Sequence, residues 1–159
     1  MPGTQRELIL RFLAEPTDVN FGGKVHGGIV MKWIDQASYA CAAGWCGTYC
    51  VTVYVGGIRF LKPIRIGSIV EIKSRVIYTG NTSMHISVDV LASDPKDNDF
   101  KKTTHCIIVF VAMDDKGNKI PVPKWVPKAE GDQDLEVYAK RLIELRKGIA
   151  EEMKERHLD

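Results

Sequence analysis

The chain has 159 residues, of which 45% are hydrophobic and 26% are charged, and its formal net charge is +2. This size and apolar content predict one globular domain with a substantial core, and the near balance of charge argues against nucleic-acid or membrane-surface binding. We also expect a soluble, unexported protein of the cytoplasm, because no apolar run approaches about 18 residues and no basic leader precedes an apolar segment.

The first part of the chain predicts one strand and then one long helix. Residues 6–13 have strand character and are followed by turn-forming residues at 15–18. The helix is predicted from about residue 25 to residue 43, and we expect it to end at Gly44, because helices often end at glycine. Apolar residues lie on nearly all sides of this helix, so we expect it to be buried. Asp35 is the acid within it, and a carboxylate kept in such surroundings is a functional candidate with a perturbed pKa.

The remainder predicts four strands and a second helix. Turn residues separate β-rich segments at 50–60, 68–78, 83–92 and 101–113, and the second and third of these form a hairpin. An extended, proline-spaced segment follows at 121–127. From Leu135 to Met153 apolar residues recur at helical spacing, which predicts an amphipathic helix packed on its own subunit or a neighbour; a partner-binding helix is the alternative.

These elements predict an α+β fold in which an antiparallel sheet wraps around the long helix. We assign residues 1–127 to this domain and residues 128–159 to a C-terminal helical extension. The four cysteines (Cys41, Cys46, Cys50 and Cys106) lie in or beside apolar stretches and lack a second ligand cluster. We therefore expect free thiols in a reducing cytoplasm and not a zinc site.

Several short motifs follow one another in a characteristic order. They are Asn20, the VHGG of residues 25–28, the MKWID of residues 31–35, the FLKPI of residues 60–64, Gly67 and the TGNTS of residues 79–83. Together they resemble the hotdog-fold acyl-coenzyme A thioesterases, of the short bacterial and cytosolic acyl-CoA hydrolase type, over about residues 6–125. The resemblance implies hydrolysis of acyl-CoA to a free fatty acid and coenzyme A, without a metal or redox cofactor. It also implies a homodimer, which we expect to assemble further as a trimer of dimers, a homohexamer, with no nucleic-acid or membrane partner.

The residues themselves suit this chemistry, because thioester hydrolysis needs a base or nucleophile and donors for the oxyanion. Asp35 is the candidate base or direct nucleophile. Gly27 and Gly28 offer backbone N–H groups at the positive end of the helix dipole. Asn20 has an amide that could orient the carbonyl or the water, and the family uses an amide and a glycine N–H in these two roles.

Each of these residues also has a purely structural interpretation. Asp35 could belong to a salt-bridge network, Asn20 could be an ordinary turn residue, and the two glycines could serve close packing. We interpret His26 as a structural or supporting residue and not as the base, because it precedes the helix.

The spacing along the helix constrains the assembly. Asp35 follows Gly27 by eight residues, which is about 12 Å along a helix axis. Both groups must come within about 3 Å of one thioester or its attacking water. One chain therefore cannot supply both, and we expect antiparallel helices of a two-fold dimer to build two composite sites, with Asp35 of one chain facing Gly27 and Asn20 of the other.

Two further groups are candidates for binding the coenzyme A portion. The turn of Thr79, Gly80, Asn81, Thr82 and Ser83 has hydroxyl and amide donors around a glycine that permits close approach. Arg59, Lys62 and Arg65 could pair with phosphate oxygens, although a solvated basic sheet edge explains them equally well.

Two other functions remain open at this point. A hotdog dehydratase or hydratase would carry a histidine about where this chain has Asn20. The asparagine at this position therefore argues against elimination chemistry. A non-catalytic acyl-CoA-binding protein would bind the same ligand without releasing a thiol.

Overall fold

A computed structural model describes all 159 residues as one five-stranded sheet and two α-helices. The strands are β1 (Glu7–Leu13), β2 (Cys50–Phe60), β3 (Ile69–Thr79), β4 (Ser83–Ser93) and β5 (Lys101–Ala112), and the helices are α1 (Gly27–Cys46) and α2 (Glu130–Glu155). All paired strands are antiparallel, in the order β1-β3-β4-β5-β2. Because α1 contacts all five strands, the predicted architecture of a sheet around one long helix is confirmed.

The strand predictions hold to within one residue at each end, and the hairpin of β3 and β4 is confirmed by the pairing of Thr79 with Met84. The predicted end of α1 at Gly44 is wrong. The helix continues to Cys46 and ends at Gly47, whose φ of 74° is left-handed and whose N–H bonds the Ala43 carbonyl. Only the second of these two glycines adopts the conformation for which glycine is favoured at a helix end.

The prediction that α1 is buried on all sides is also wrong. Its buried residues form one face towards the sheet and comprise Val30, Ile34, Ala37, Ser38, Cys41, Ala42, Trp45 and Cys46. The opposite side is exposed along Lys32, Asp35, Gln36, Tyr39 and Ala40. A five-stranded sheet covers only one side of a helix, so Asp35 lies at the surface of the single chain.

The second helix, α2, covers part of the opposite face of the sheet. Ala139 packs between Ile77 of β3 and Ile107 of β5. Near its beginning, Asp132 accepts two hydrogen bonds from the Arg6 guanidinium, at 2.8 and 3.0 Å. The first half of α2 therefore packs on its own chain, whereas Leu145, Ile149 and Met153 in the second half are exposed.

Other groups bear on which ligands the chain can hold. All four cysteines are unpaired and buried. No cluster of three or more histidine, cysteine, aspartate or glutamate side chains is arranged to bind a metal ion. Neither α-helix combines the length and the hydrophobicity that crossing a membrane requires.

Candidate functional site

Asp35 is held by a residue of the neighbouring strand. Its Oδ1 accepts a hydrogen bond from the Thr52 hydroxyl at 3.1 Å, which connects the middle of α1 to β2. The second carboxylate oxygen, Oδ2, has no hydrogen bond to the protein. The carboxylate is thus oriented through one oxygen and keeps the other available to take a proton or to attack an electrophile.

The role of Thr52 was not predicted from the sequence. Its segment, CVTVYV, is rich in β-branched residues and predicts only a strand. One signal was present, because side chains alternate along a strand and Thr52 therefore shares a face with the buried Cys50. This shared face points to a contact between Thr52 and Asp35 only once it is known that the face packs against α1.

Asn20 lies in the loop before α1 and shapes that loop through its side chain. Its Oδ1 accepts from the N–H groups of Gly22, at 2.8 Å, and Lys24, at 3.0 Å. The side-chain carbonyl is therefore occupied by the loop. The remaining polar group is the NH₂, which can only donate, so Asn20 presents a donor of the kind that a thioester carbonyl or its oxyanion accepts.

The beginning of α1 offers one free N–H group and not two. His26 caps the helix, and its Nδ1 accepts from the Gly28 N–H at 3.1 Å. The expectation of a free N–H at Gly28 is therefore wrong, because His26 occupies that group and stabilises the beginning of the helix. The Gly27 N–H takes part in no backbone hydrogen bond outside the regular elements and, as the first residue of α1, has no partner within the helix.

Gly27 lines two surface cavities. The first, of about 240 Å³, is mainly polar and is lined by Asn20, Phe21, Gly22, His26 and Gly27. The second, of about 310 Å³, is more apolar and is lined by Val25, Gly27, Val30, Phe60, Leu61, Lys62, Pro63, Ile64 and Thr104. This arrangement suits a ligand that places a polar carbonyl at Gly27 and an apolar or amphipathic chain beside it.

Asp35 lines neither of these cavities. It lies eight residues after Gly27 on the same helix, and the rise of a helix separates the two by about 12 Å. One chain thus brings Asn20 and Gly27 together and brings Asp35 and Thr52 together, but keeps the two pairs apart.

The TGNTS turn is tied to the protein more closely than predicted. Thr79 is buried, and its hydroxyl oxygen accepts from the backbone N–H of Trp125 at 3.0 Å, so this side chain serves the fold. The Gly80 N–H donates to the Ser83 carbonyl at 2.9 Å and closes the turn. Asn81 is exposed, and Thr82 and Ser83 are partly exposed, so their side chains remain accessible.

The three predicted phosphate-binding cations are all exposed but are not equivalent. Lys62 lines the larger cavity beside Gly27. Arg59 lies on β2, after the irregular pairing that begins at Gly56. Arg65 belongs to the connection after β2, where it forms an isolated bridge with Lys24. Neither arginine lines the cavities at Gly27.

Comparison with known proteins identifies the family. A model of the thioesterase superfamily matches residues 22–97, a span that contains Gly27, Asp35 and Thr52. The acyl-CoA thioester hydrolase YciA of Salmonella typhimurium is 35% identical to this chain, over 75% of the chain and 92% of that protein. The chain belongs to the thioesterase superfamily. The family predicted from the motifs is therefore confirmed.

Solved structures of thioesterases have the same fold as this chain. An acyl-CoA hydrolase from Staphylococcus aureus, in complex with butyryl coenzyme A and coenzyme A, matches with a TM-score of 0.88 and 27% identity, over 98% of this chain and 95% of that one. A hexameric thioesterase from Yersinia pestis matches with a TM-score of 0.69 and 34% identity, over 75% of this chain and 97% of that one. The predicted hotdog fold is thus confirmed.

Proposed function

We propose that this thioesterase hydrolyses acyl-coenzyme A to a fatty acid and coenzyme A at sites shared between two subunits. Asp35 and Thr52 come from one subunit, and Asn20 and Gly27 come from the other. The observation that carries the proposal is the hydrogen bond from Thr52 to Asp35, because it orients the only carboxylate of α1 and leaves one of its oxygens free.

The reaction requires an attack on the thioester carbonyl carbon. Either water attacks while Asp35 takes its proton, or Asp35 attacks directly and water hydrolyses the resulting anhydride. In both routes the carbonyl oxygen gains negative charge, which the Gly27 N–H and the Asn20 amide stabilise as donors. The C–S bond then breaks, its electron pair goes to sulfur, and the thiolate takes up a proton to become coenzyme A.

The spacing of the polar residues supports this assignment. In the S. aureus hydrolase, structures have been solved with an asparagine, an aspartate or a threonine replaced by alanine. These three positions have the same spacings along that chain as Asn20, Asp35 and Thr52 have here. A functional interpretation of all three residues is consistent with the hydrogen bonds and cavities of this chain.

The separation of the two pairs supports the shared site. About 12 Å along α1 lies between Gly27 and Asp35, and the exposed side of α1 presents Asp35, Gln36 and Tyr39 to a partner. The strand β2 lies at the edge of the sheet with Val53 and Val55 exposed, which provides a second contact surface. A two-fold dimer, assembled further as a trimer of dimers, would cover these surfaces, and the hexameric Y. pestis relative is consistent with that arrangement.

We assign the cofactor-free reaction to the cytoplasm, because four buried, unpaired cysteines suit a reducing compartment.

The coenzyme A arm is assigned to the region of Lys62 and to the accessible residues of the turn, Asn81, Thr82 and Ser83. The domain division at about residue 127 is part of the same proposal.

The proposal is tested by measuring thiol release from acyl-CoA esters of several chain lengths by the purified protein. We expect turnover that falls at least about 100-fold in Asp35→Asn at unchanged fold. Binding of acyl-CoA without thiol release above that variant, at every chain length, would overturn the enzyme assignment in favour of a binding protein.

A further inference from the structure

A third cavity lies between α2 and the face of the sheet opposite α1. Its volume is about 170 Å³, and its lining includes Tyr54, His85, Ile107, Val109, Leu142 and Arg146. Most of these side chains are hydrophobic, and His85 and Arg146 are the two residues with nitrogen-bearing side chains. A concave apolar site with a few converging polar groups is the usual form of a small-molecule site.

His85 is the deeper of these two residues. It is only 4% exposed, and its neighbour is the edge-on ring of Tyr78, 5.1 Å away between centroids. Burial and the nearby Arg146 lower the pKa of His85 to about 4, and no hydrogen bond contributes. The imidazole is therefore neutral at pH 7 and has one N–H donor and one acceptor, both without a protein partner. The only fully enclosed side-chain polar atom without a partner is the Ser74 hydroxyl. The His85 nitrogens therefore keep an opening through which a ligand or water can bond them.

Arg146 places an unpaired cation beside the same cavity. Its guanidinium lies 4.8 Å from the centroid of the Tyr54 ring. The ion pairs of α2 involve other cations, namely Arg6 with Asp132, Lys140 with Glu136, Lys147 with Glu144 and Arg156 with Glu152. Arg146 thus keeps its charge available at a partly buried position, where a charge-assisted hydrogen bond to an anion is strong.

The backbone of β2 makes room for the cavity. A side chain at Gly56 would meet the Tyr54 ring at 2.4 Å, and Gly57 has a φ of +60° that favours glycine. The pairing of β2 with β5 is irregular at this point, between Gly56 and Arg59. Because the two glycines have no side chains, the Tyr54 ring can lie along its own strand. The cavity beside this ring is therefore a consequence of the backbone of β2.

We propose that this cavity is a second binding site, which takes the carboxylate of a short-chain monocarboxylic acid. Arg146 and the His85 N–H donate to the carboxylate, and the hydrocarbon chain packs against Ile107, Val109 and Leu142. A cavity of about 150 Å³ accommodates a six-carbon ring, so an acid of about six carbons fits the volume. The sheet separates this site from α1, and the proposal does not depend on the hydrolytic function.

The site is tested with sodium hexanoate, using titration calorimetry and NMR of the histidine rings, assigned with the aid of His85→Gln. We expect saturable binding that shifts the His85 ring resonances, and no comparable binding of 1-hexanol, which lacks the carboxylate. Arg146→Met should weaken the affinity at least about tenfold, whereas Arg141→Met, which removes an exposed cation of the same helix, should leave it unchanged.

Three results would overturn the proposal. They are no saturable binding of hexanoate by the wild-type protein, shifts confined to the His26 ring beside the catalytic cavities, and equal binding of 1-hexanol. The comparison of the two ligands uses only the wild-type protein, so it can be made even if the Arg146 variant does not fold.

Discussion

The Thr52 hydroxyl donates a hydrogen bond to Asp35 Oδ1 across 3.1 Å, and this bond joins an edge strand to the middle of the central helix. The loss of an orienting hydrogen bond lowers turnover without necessarily affecting binding. We therefore expect Thr52→Val to reduce kcat for acyl-CoA about tenfold with little change in KM. Thr52→Ser keeps the hydroxyl and should retain most of the activity. Equal kcat values for the valine and serine variants, at equal melting temperatures, would remove Thr52 from the site.

Asp35 carries the chemical step in the proposed mechanism. Asp35→Asn keeps the shape of the side chain but removes the base or nucleophile, so kcat should fall at least about 100-fold. The melting curve should change little, because this side chain is exposed in the chain and makes a single hydrogen bond to protein. Asp97→Asn, at an exposed loop position, serves as a matched control with wild-type kinetics. Near wild-type turnover in Asp35→Asn would exclude this mechanism.

A shared site predicts recovery of activity when two inactive variants are mixed. Asn20→Ala and Asp35→Asn damage different halves of each site, so one of the two sites in a mixed dimer recovers both groups. Random exchange between equal pools gives at most about a quarter of the wild-type number of intact sites, by dimer symmetry. Subunit exchange should be verified independently, for example by mass spectrometry of differently labelled chains. Verified exchange without recovery would place all of these groups in one chain.

The turn at Gly80 tests the coenzyme A contact. Gly80→Val should raise KM for acyl-CoA more than KM for a short thioester that lacks the nucleotide. A β-carbon at Gly80 would also meet the Ser83 hydroxyl at 2.5 Å, so the substitution can act through stability. The double variant Gly80→Val with Ser83→Ala relieves that clash but also removes one assigned contact of the coenzyme A arm, so Ser83→Ala alone is its matched control. Equal losses for both substrates with a lowered melting temperature, relieved in the double variant, would make the turn purely structural.

Acid stability depends in part on Asp89, which connects the sheet to α2. Its carboxylate bonds His105 Nδ1 at 2.8 Å, and His105 Nε2 lies 3.2 Å from the Tyr138 hydroxyl of α2. Burial raises the pKa of Asp89, but the hydrogen bonds from His105 and Lys102 outweigh it, and the pKa falls below its ordinary value of 3.8. A lowered pKa in the folded state stabilises the protein above that ordinary value, and this stabilisation is lost as the pH falls through the folded pKa.

We therefore expect the free energy of unfolding of Asp89→Asn to depend less on pH than that of the wild type below about pH 4. Urea unfolding from pH 6 to pH 3, at fixed protein concentration, measures this difference. Asp97→Asn should follow the wild-type curve. Parallel curves for wild type and Asp89→Asn would show that this carboxylate makes no pH-dependent contribution.

The order of elements was predictable because it depends on local patterns. Alternation and turn residues located all five strands, and the hairpin followed from the turn at 80–82. The end of α1 was not predictable in the same way, since Gly44 and Gly47 are both plausible helix ends. The choice between them depends on which residue adopts a positive φ, and that is decided by the packing of Trp45 and Cys46 into the core.

The candidate site was only partly predictable for a related reason. Asp35 was found, but its exposure was not, because a composition rich in alanine and aromatic residues does not reveal that the sheet covers one side of α1. The sequence also could not show that His26 occupies the N–H of Gly28 or that the Thr79 hydroxyl bonds Trp125. In each case a protein group competes with the ligand for the same donor or acceptor, and such competition depends on three-dimensional contacts.

The single long helix α1 has a mechanical consequence in the proposed dimer. It carries the Gly27 donor of one site and the Asp35 carboxylate of the other, so one stiff rod serves two reactions. If α1 shifts along its axis, the Gly27 donor of one site and the Asp35 carboxylate of the other are displaced by the same amount. Neither site can compensate for the other. Substitutions that weaken the packing of α1 on the sheet, at Ile34 or Ala37 for example, should therefore reduce turnover at both sites equally. Loss of one Asp35 side chain inactivates a single site.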